Sequence, residues 1–223
     1  MTGECCESVY FHKEGKTVIR QTVYDHDSLL YSLKPAAEEK EDEKTEAAEK
    51  EYEELEISRT AEHVRAYIKV QDGCNQFCSY CIIPYARGRV RSRAKEDVVA
   101  EVTDLAKNGY QEVVLTGIHL SSYGIDFENE DNLLSLIRAV HEIEGIKRIR
   151  LGSLEPRIIT EEFVQAIAAL PKMCPHFHLS LQSGCNETLK RMNRRYTSEE
   201  FYEKCEILRK YFEKPALTTD VIV

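Results

Sequence analysis

At 223 residues the chain is long enough to bury a substantial core, as one barrel-sized domain or two small ones. Its formal net charge of −9 is concentrated: residues 36–56 (AAEEKEDEKTEAAEKEYEELE) carry eleven Asp/Glu against three Lys, so the remainder is near neutral with its basic residues clustered. No apolar run approaches a membrane span and no basic-then-apolar signal opens the chain, so a cytoplasmic protein with no membrane partner is expected; there eight cysteines stay reduced, and clustered ones more often hold metal than pair.

Residues 1–35 are weakly patterned, apart from TVIRQTVY (Thr17 to Tyr24), which alternates as a short strand or hairpin arm. Adjacent Cys5 and Cys6 have no evident partner. Residues 36–60 read as an acidic linker or exposed helix, with no apolar stripe before Tyr52 and Leu55. The rhythmic part, 61–223, forms the main domain.

AYIKVQDG (66–73) reads as a strand ending in Gly. Ser92 to Gly109 reads as a helix with Val98, Val102, Leu105 and Ala106 on one face. QEVVLTG (111–117) is the second strand. Asp131 is expected to cap a helix carrying Leu134, Ile137 and Val140, ended by Gly145. KRIRLGSL (147–154) is the third strand, and Thr160 caps a helix with Phe163, Ile167 and Leu170. HFHLSLQSG (176–184) is the fourth. Thr197 and Glu200 make a capping box for a helix with Phe201, Cys205 and Leu208. PALTTDVIV (215–223) is the fifth strand.

Four strand–helix alternations predict an α/β fold with parallel strands and right-handed crossovers, as a barrel or an open doubly wound sheet. In either, chemistry gathers at the C-terminal strand ends. Thr116 and Gly117, Ser153 and Glu155, Ser180 and Gln182, and Asp220 are the polar candidates there. Ser180 and Gln182 share one face of an ideal strand, and Asp220 is a charge in an apolar strand that needs a ligand or an Arg partner. Glu155 has a competing reading as an ion-pair partner. The last strand is apolar and lacks a covering helix, so a fragment, or an edge covered by another element, is expected.

The chain is organised around Asp72 to Arg93, DGCNQFCSYCIIPYARGRVRSR. Cys74, Cys78 and Cys81 stand in a C-x3-C-x2-C spacing. Three thiolates this close can reach three corners of one iron–sulfur cube and leave the fourth iron open, as a catalytic site requires. A zinc site completed by His63 or His119, and unligated core cysteines, are the alternatives. Arg87, Arg89, Arg91, Arg93 and Lys95 alternate, which puts them on one side of an extended segment, as RNA-phosphate contacts or as salt-bridge partners. Lys190, Arg191, Arg194 and Arg195 form a second basic group with the same two readings. His119 is a possible proton donor or loop filling. Cys174, Cys185 and Cys205 read as packing residues.

The cysteine stretch resembles the radical S-adenosylmethionine (SAM) enzymes, and Tyr80 matches the aromatic position before their third cysteine. The fuller run, with LTGIHLSSYG (115–124), LGSLEP (151–156) and LSLQSGCNETLKRMNRRYT (179–197), looks like the methylthiotransferases, within them the tRNA branch acting on N6-threonylcarbamoyladenosine at position 37. The resemblance covers about Arg65 to Val223. It implies a partial (β/α) barrel, here five of six strands. It implies a [4Fe–4S] cluster on Cys74, Cys78 and Cys81, with S-adenosylmethionine chelating the open iron and cleaved to a 5′-deoxyadenosyl radical. It puts backbone contacts to SAM at Thr116 and Gly117, with Tyr80 at the motif's aromatic position; Ser153, Glu155, Ser180, Gln182 and Asp220, the strand-end polar groups above, are the further cofactor-binding candidates.

The implied partners are the tRNA anticodon loop and an electron donor such as flavodoxin or ferredoxin, with no DNA. A ribosomal-protein side chain or isopentenyladenosine in tRNA are the alternative substrates, and a non-catalytic, metal-stabilised RNA-binding protein the alternative class. The family also carries three further cysteines for a second [4Fe–4S] cluster, ahead of this motif, and a C-terminal RNA-binding β-domain. Only Cys5 and Cys6 precede the motif here, so the family activity is expected of a longer parent.

Overall fold

A computed structural model describes residues 5–13, 16–24 and 65–222 of the chain. It divides into two units, Met1–Glu43 and Lys44–Val223. In the first, β1 (Cys5–Lys13) pairs antiparallel with β2 (Lys16–Tyr24), from Cys5 opposite Tyr24 to Lys13 opposite Lys16. The hairpin arm expected at Thr17 to Tyr24 is therefore present. The acidic segment 36–60 lies outside the described residues.

The second unit is built on parallel strands. The strand β3 (Arg65–Asp72) pairs with β5 (Glu112–Gly117), and β5 with β6 (Arg148–Leu151). A two-residue strand β4 (Arg91–Ser92) adds antiparallel to the far edge of β3, giving the order β4-β3-β5-β6. Next come β7 (His176–His178) and β8 (Ala216–Thr218), parallel to each other. Single bridges, Ile149 to Met173 and Leu154 to Leu179, connect β6 to the β7 segment in place of a full ladder. The sheet therefore curls as an incomplete barrel, as a mixed α/β fold of five parallel strands.

Helices cover the outside. They are α1 (Ile83–Ala86), α2 (Lys95–Lys107), α3 (Leu133–Glu142), α4 (Glu161–Ala168), α5 (Asn186–Arg191) and α6 (Ser198–Tyr211). Along the layer α2 packs on α3, α3 on α4, and α4 on α6. The apolar stripes Val98/Val102/Leu105, Leu136/Ile137/Val140 and Phe163/Val164/Ile167 meet Ile68, Val70, Val113, Leu115 and Ile149 in one buried cluster. Near-continuous burial along β5 is what a parallel sheet under helices requires.

Thr160 caps α4, and Thr197 with Glu200 forms the capping box of α6, as expected. The cap of α3 is Asn132, one residue beyond the expected Asp131, in a box with Ser135. Asp131 instead binds Lys95 at 2.6 Å. Ser92 starts no helix: it is strand, with Oγ and N bonded to Asp126 at 2.6 and 2.7 Å. The α1 and α5 turns are too short to show a period in the sequence.

Candidate metal centre

The cysteine loop grows out of the C-terminal end of β3. Its base is closed by residues that sequence alone left unassigned. Gly73 has φ of 68°, and a Cβ there would lie 1.9 Å from the Arg89 carbonyl oxygen, so only glycine lets the two arms of the loop cross. Cys74 N donates to Gly88 O at 3.1 Å, and Val90 N to Asn75 Oδ1 at 3.3 Å. Asp72 accepts from Gly73 N at 2.7 Å and Lys69 Nζ at 2.6 Å, with Arg87 and Arg91 each 3.7 Å away. Burial alone would raise the Asp72 pKa, but these donors outweigh it and hold the carboxyl below its ordinary range.

Gln71, fully buried, ties the strand ends together. Its Nε2 donates to the carbonyls of Asp72 (2.6 Å) and Gly73 (2.7 Å), and its Oε1 accepts from His119 N at 2.7 Å. A neutral amide with donors on one side and an acceptor on the other joins the loops after β3 and β5.

The three thiols face a cavity of about 140 Å³ lined also by Gln76, Tyr80, Ile83, Ile118, His119, Ser153 to Glu155, Ser180 and Arg194. Every parallel strand from β3 to β7 contributes to it from its C-terminal end, where such folds carry their chemistry. A larger, apolar cavity of about 370 Å³ lies near the starts of α3 and α4, and no cysteine lines it.

Among the described residues no three Cys, His, Asp or Glu side chains converge tightly enough to share a single ion. One tetrahedral zinc draws its sulfurs to about 2.3 Å from a common centre. Three thiols with an open fourth corner are a fitting donor set for a multi-iron cluster. Burial pushes the Cys74 thiol up, so metal must displace a proton there.

The rest of the wall is polar. Glu155 is buried and accepts from Arg157 Nε at 2.7 Å. The ion-pair reading is thus present, while the carboxyl still lines the cavity. His119 Nδ1 bonds Ser122 Oγ at 2.5 Å, leaving Nε2 buried without a partner. Burial lowers the His119 pKa, so the ring is neutral at pH 7. An orphaned imidazole nitrogen in a cavity wall implies a hydrogen-bonding occupant.

The cavity brings together Cys74, Cys78, Cys81, Tyr80, Ser153, Glu155 and Ser180. Thr116 and Gly117 stop short of it, and Ile118 and His119 take their place. Thr116 Oγ1 donates to Ile68 O at 3.1 Å, and a Cβ on Gly117 would meet Gln71 at 2.8 Å, so close approach to Gln71 accounts for that glycine. Ser180 lines the cavity and Gln182 is not among its lining residues: the strand ends at His178, and Gln182 has φ of 70°. Asp220 lies beyond the last strand residue, 77% exposed, 3.3 Å from His178 instead of an arginine.

The arginines do not form one row either. Arg87 and Arg89 are exposed, Arg89 stacking on Phe77 at 4.6 Å. Arg91 turns back to the Arg87 carbonyl at 2.9 Å. Arg93 is buried in an ion pair with Glu101, which removes it from any RNA-facing surface. Only residues 91–92 are extended, so alternation never develops. Arg194, grouped above with surface cations, faces the cavity, while Lys190, Arg191 and Arg195 are exposed. Cys174 and Cys205 are buried as expected; Cys185 is exposed at the start of α5.

The fold and the three-thiol cavity together define an α/β enzyme scaffold whose site lies at the C-terminal ends of its parallel strands. The chain belongs to the radical SAM superfamily, whose family profile matches residues 68–223. Enzymes of this family use a [4Fe–4S] cluster and SAM. The chain is 43% identical over 171 residues to the tRNA-2-methylthio-N(6)-dimethylallyladenosine synthase of Thermoanaerobacter pseudethanolicus, covering 77% of this chain and 36% of that one. It is 50% identical over 159 residues to the threonylcarbamoyladenosine tRNA methylthiotransferase MtaB of Chlamydia pneumoniae, covering 71% and 37%. The chain thus spans little more than a third of the length of these relatives. A radical SAM methyltransferase, TsrM of Kitasatospora setae, shares the fold with a TM-score of 0.54 at 21% identity, covering 70% of this chain and 30% of that one.

Proposed function

We propose that this chain is the SAM-cleaving core of a tRNA methylthiotransferase that converts N6-threonylcarbamoyladenosine at position 37 to its 2-methylthio derivative. The observation that carries the reading is three thiols on one cavity wall, in a chain whose matched relatives are named for methylthiolation of tRNA adenosines. Cys74, Cys78 and Cys81 hold the cluster. When bound, the cluster with SAM supplies the one-electron cleavage that starts the reaction.

The chain's own residues bind and orient. Glu155, Ser153, Ser180 and His119 offer hydrogen-bonding groups to a polar, zwitterionic ligand. Tyr80 and Ile118, both partly exposed, shield the mouth from water. Exposed Arg87 and Arg89 meet tRNA phosphates of the anticodon loop. The electron comes from a small redox protein of the flavodoxin or ferredoxin kind. The sulfur-handling second cluster belongs to a longer parent. A second reading, methylthiolation of N6-dimethylallyladenosine, is favoured by the 43% identical relative.

Anaerobic reconstitution with iron and sulfide tests the core: about four irons per chain, lost in Cys78→Ala, and 5′-deoxyadenosine on reduction with SAM are expected. One zinc per chain with no iron chromophore would sink the reading. Nucleoside analysis of tRNA from cells lacking the parent protein decides the substrate. Loss of the threonylcarbamoyl derivative is expected, and loss of the dimethylallyl one would transfer the assignment to the second reading.

A further inference from the structure

The segment after α5 clamps the cysteine loop from over a hundred residues further along the chain. Ser79 N donates to Met192 O at 3.1 Å. Asn193, with φ of 58°, donates from Nδ2 to the carbonyls of Gln76 (3.2 Å) and Phe77 (2.9 Å). Arg194 follows and turns inward. Its Nη1 donates to Cys78 Sγ at 3.4 Å, its Nε to Tyr196 Oη at 2.8 Å, and its Nη2 to Ser180 O at 3.4 Å. Tyr196 is itself buried and donates to the Ser180 carbonyl. Three acceptors in different directions thus fix one planar guanidinium, a geometry a lysine cannot reproduce.

We propose that Arg194 is a positioning residue that raises the reduction potential of the cluster, by holding a permanent cation against the sulfur of Cys78. The proposal rests on the cluster reading above. Reduction adds one negative charge to a cluster, and hydrogen bonds to its sulfurs and the net charge around it set where that becomes favourable. A guanidinium cannot lose its proton in a protein, so its charge is present at every working pH. Inside a partly buried cavity that charge is screened far less than at the surface. The other charges nearby do not offset it: Glu155 is paired with Arg157, and Arg87 and Arg89 face solvent. The competing role for Arg194, gripping the carboxylate of a bound amino-acid moiety, requires ligand to be present, whereas the electrostatic role does not.

The test is a redox titration of the reconstituted full chain, followed by electron paramagnetic resonance without SAM, for wild type, Arg194→Gln, Arg194→Lys and Tyr196→Phe. With iron content near wild type, Arg194→Gln is expected to shift the reduction equilibrium at least tenfold toward the oxidised cluster, about 59 mV more negative for one electron. Arg194→Lys should shift it less. Tyr196→Phe, which frees Nε and lets the guanidinium drift from the sulfur, should shift it in the same direction. An unchanged potential in iron-loaded Arg194→Gln overturns the proposal, even if SAM affinity falls. If that variant loads no iron, a wild-type potential in Tyr196→Phe overturns it. A wild-type chain that takes up no iron removes the cluster reading and this proposal with it.

Discussion

The cysteine loop and the helical layer behind the sheet are held by different physics. The layer of α2, α3, α4 and α6 is fixed by apolar burial: Val98, Val102, Leu136, Ile137, Val140, Val164 and Ile167 are wholly excluded from solvent. The loop from Gly73 to Arg91 has almost no core of its own. It is stitched by backbone and side-chain hydrogen bonds to Gln71, Asp72, Asn75 and Asn193. Apolar packing tolerates many sequences of similar volume, whereas a polar stitch fails when one partner is lost. The contrast places adaptability in the scaffold and strict residue identity in the loop that carries the three thiols.

The first way to break this comparison is in the layer. Ile137→Ala removes a wholly buried side chain and should cost about 2–5 kcal/mol of folding stability by chemical denaturation. Iron bound per folded molecule should stay at the wild-type level, because no stitch is touched. Next is the loop base. Gly73→Ala puts a Cβ 1.9 Å from the Arg89 carbonyl in a left-handed backbone, a strain of about 2–4 kcal/mol. Here the expected signature is reversed: iron content falls with the loop's closure, while the far-ultraviolet circular dichroism of the layer persists. Full iron loading in Gly73→Ala would show that the stitch does not govern the site.

The same contrast explains what could be read from the sequence. Apolar periodicity exposed α2, α3, α4 and α6, because a buried stripe must recur every three to four residues. The cysteine spacing singled out Cys74, Cys78 and Cys81 with no tertiary knowledge, and the structure brings all three to one cavity. The stitches were invisible: Gln71, His119 and Arg194 act through partners 48 to 116 residues away. Gln182 and Asp220 were misplaced because an ideal strand was assumed through residues that a left-handed φ and an early strand end interrupt. Arg93 follows the salt-bridge reading of its run, but local charge alternation gives no hint that the partner is Glu101, eight residues further on.

A second polar network, at the opposite ends of the strands, separates polar stitching as such from stitching of the site. Glu112, buried at the start of β5, binds Arg148 at 2.6 Å, Arg65 at 3.0 Å and Arg150 at 3.2 Å. Burial raises its pKa, but the hydrogen bonds from Arg148 and Arg150, and the charge of Arg65, outweigh that and lower it below 4.5. A folded pKa below the unfolded one contributes stability above the unfolded value and loses it as pH falls through the folded one. Glu112→Gln should therefore cost about 1–2 kcal/mol at pH 7, and the gap to wild type should close as pH drops below about 4. Urea midpoints across pH 3–7 check it, with iron content unchanged at neutral pH. A gap that persists at pH 3 would mean that lost packing, not charge, accounts for the effect.

The smallest effect is the most local. Asn193→Gly keeps the left-handed backbone available but removes the amide that binds the Gln76 and Phe77 carbonyls at 3.2 and 2.9 Å. These bonds are exposed to solvent, so global stability should fall by only about 0.5–1 kcal/mol. The loop should respond more than the whole, since regions with little buried apolar surface open independently of the core. Hydrogen exchange resolves the difference: amides from Gln76 to Ser79 should exchange several-fold faster in Asn193→Gly, while those of Leu136 and Ile137 in α3 should slow or quicken only with global stability. Equal acceleration in both places would show that loop and layer open together, and that the two kinds of stabilisation are not separable in this chain.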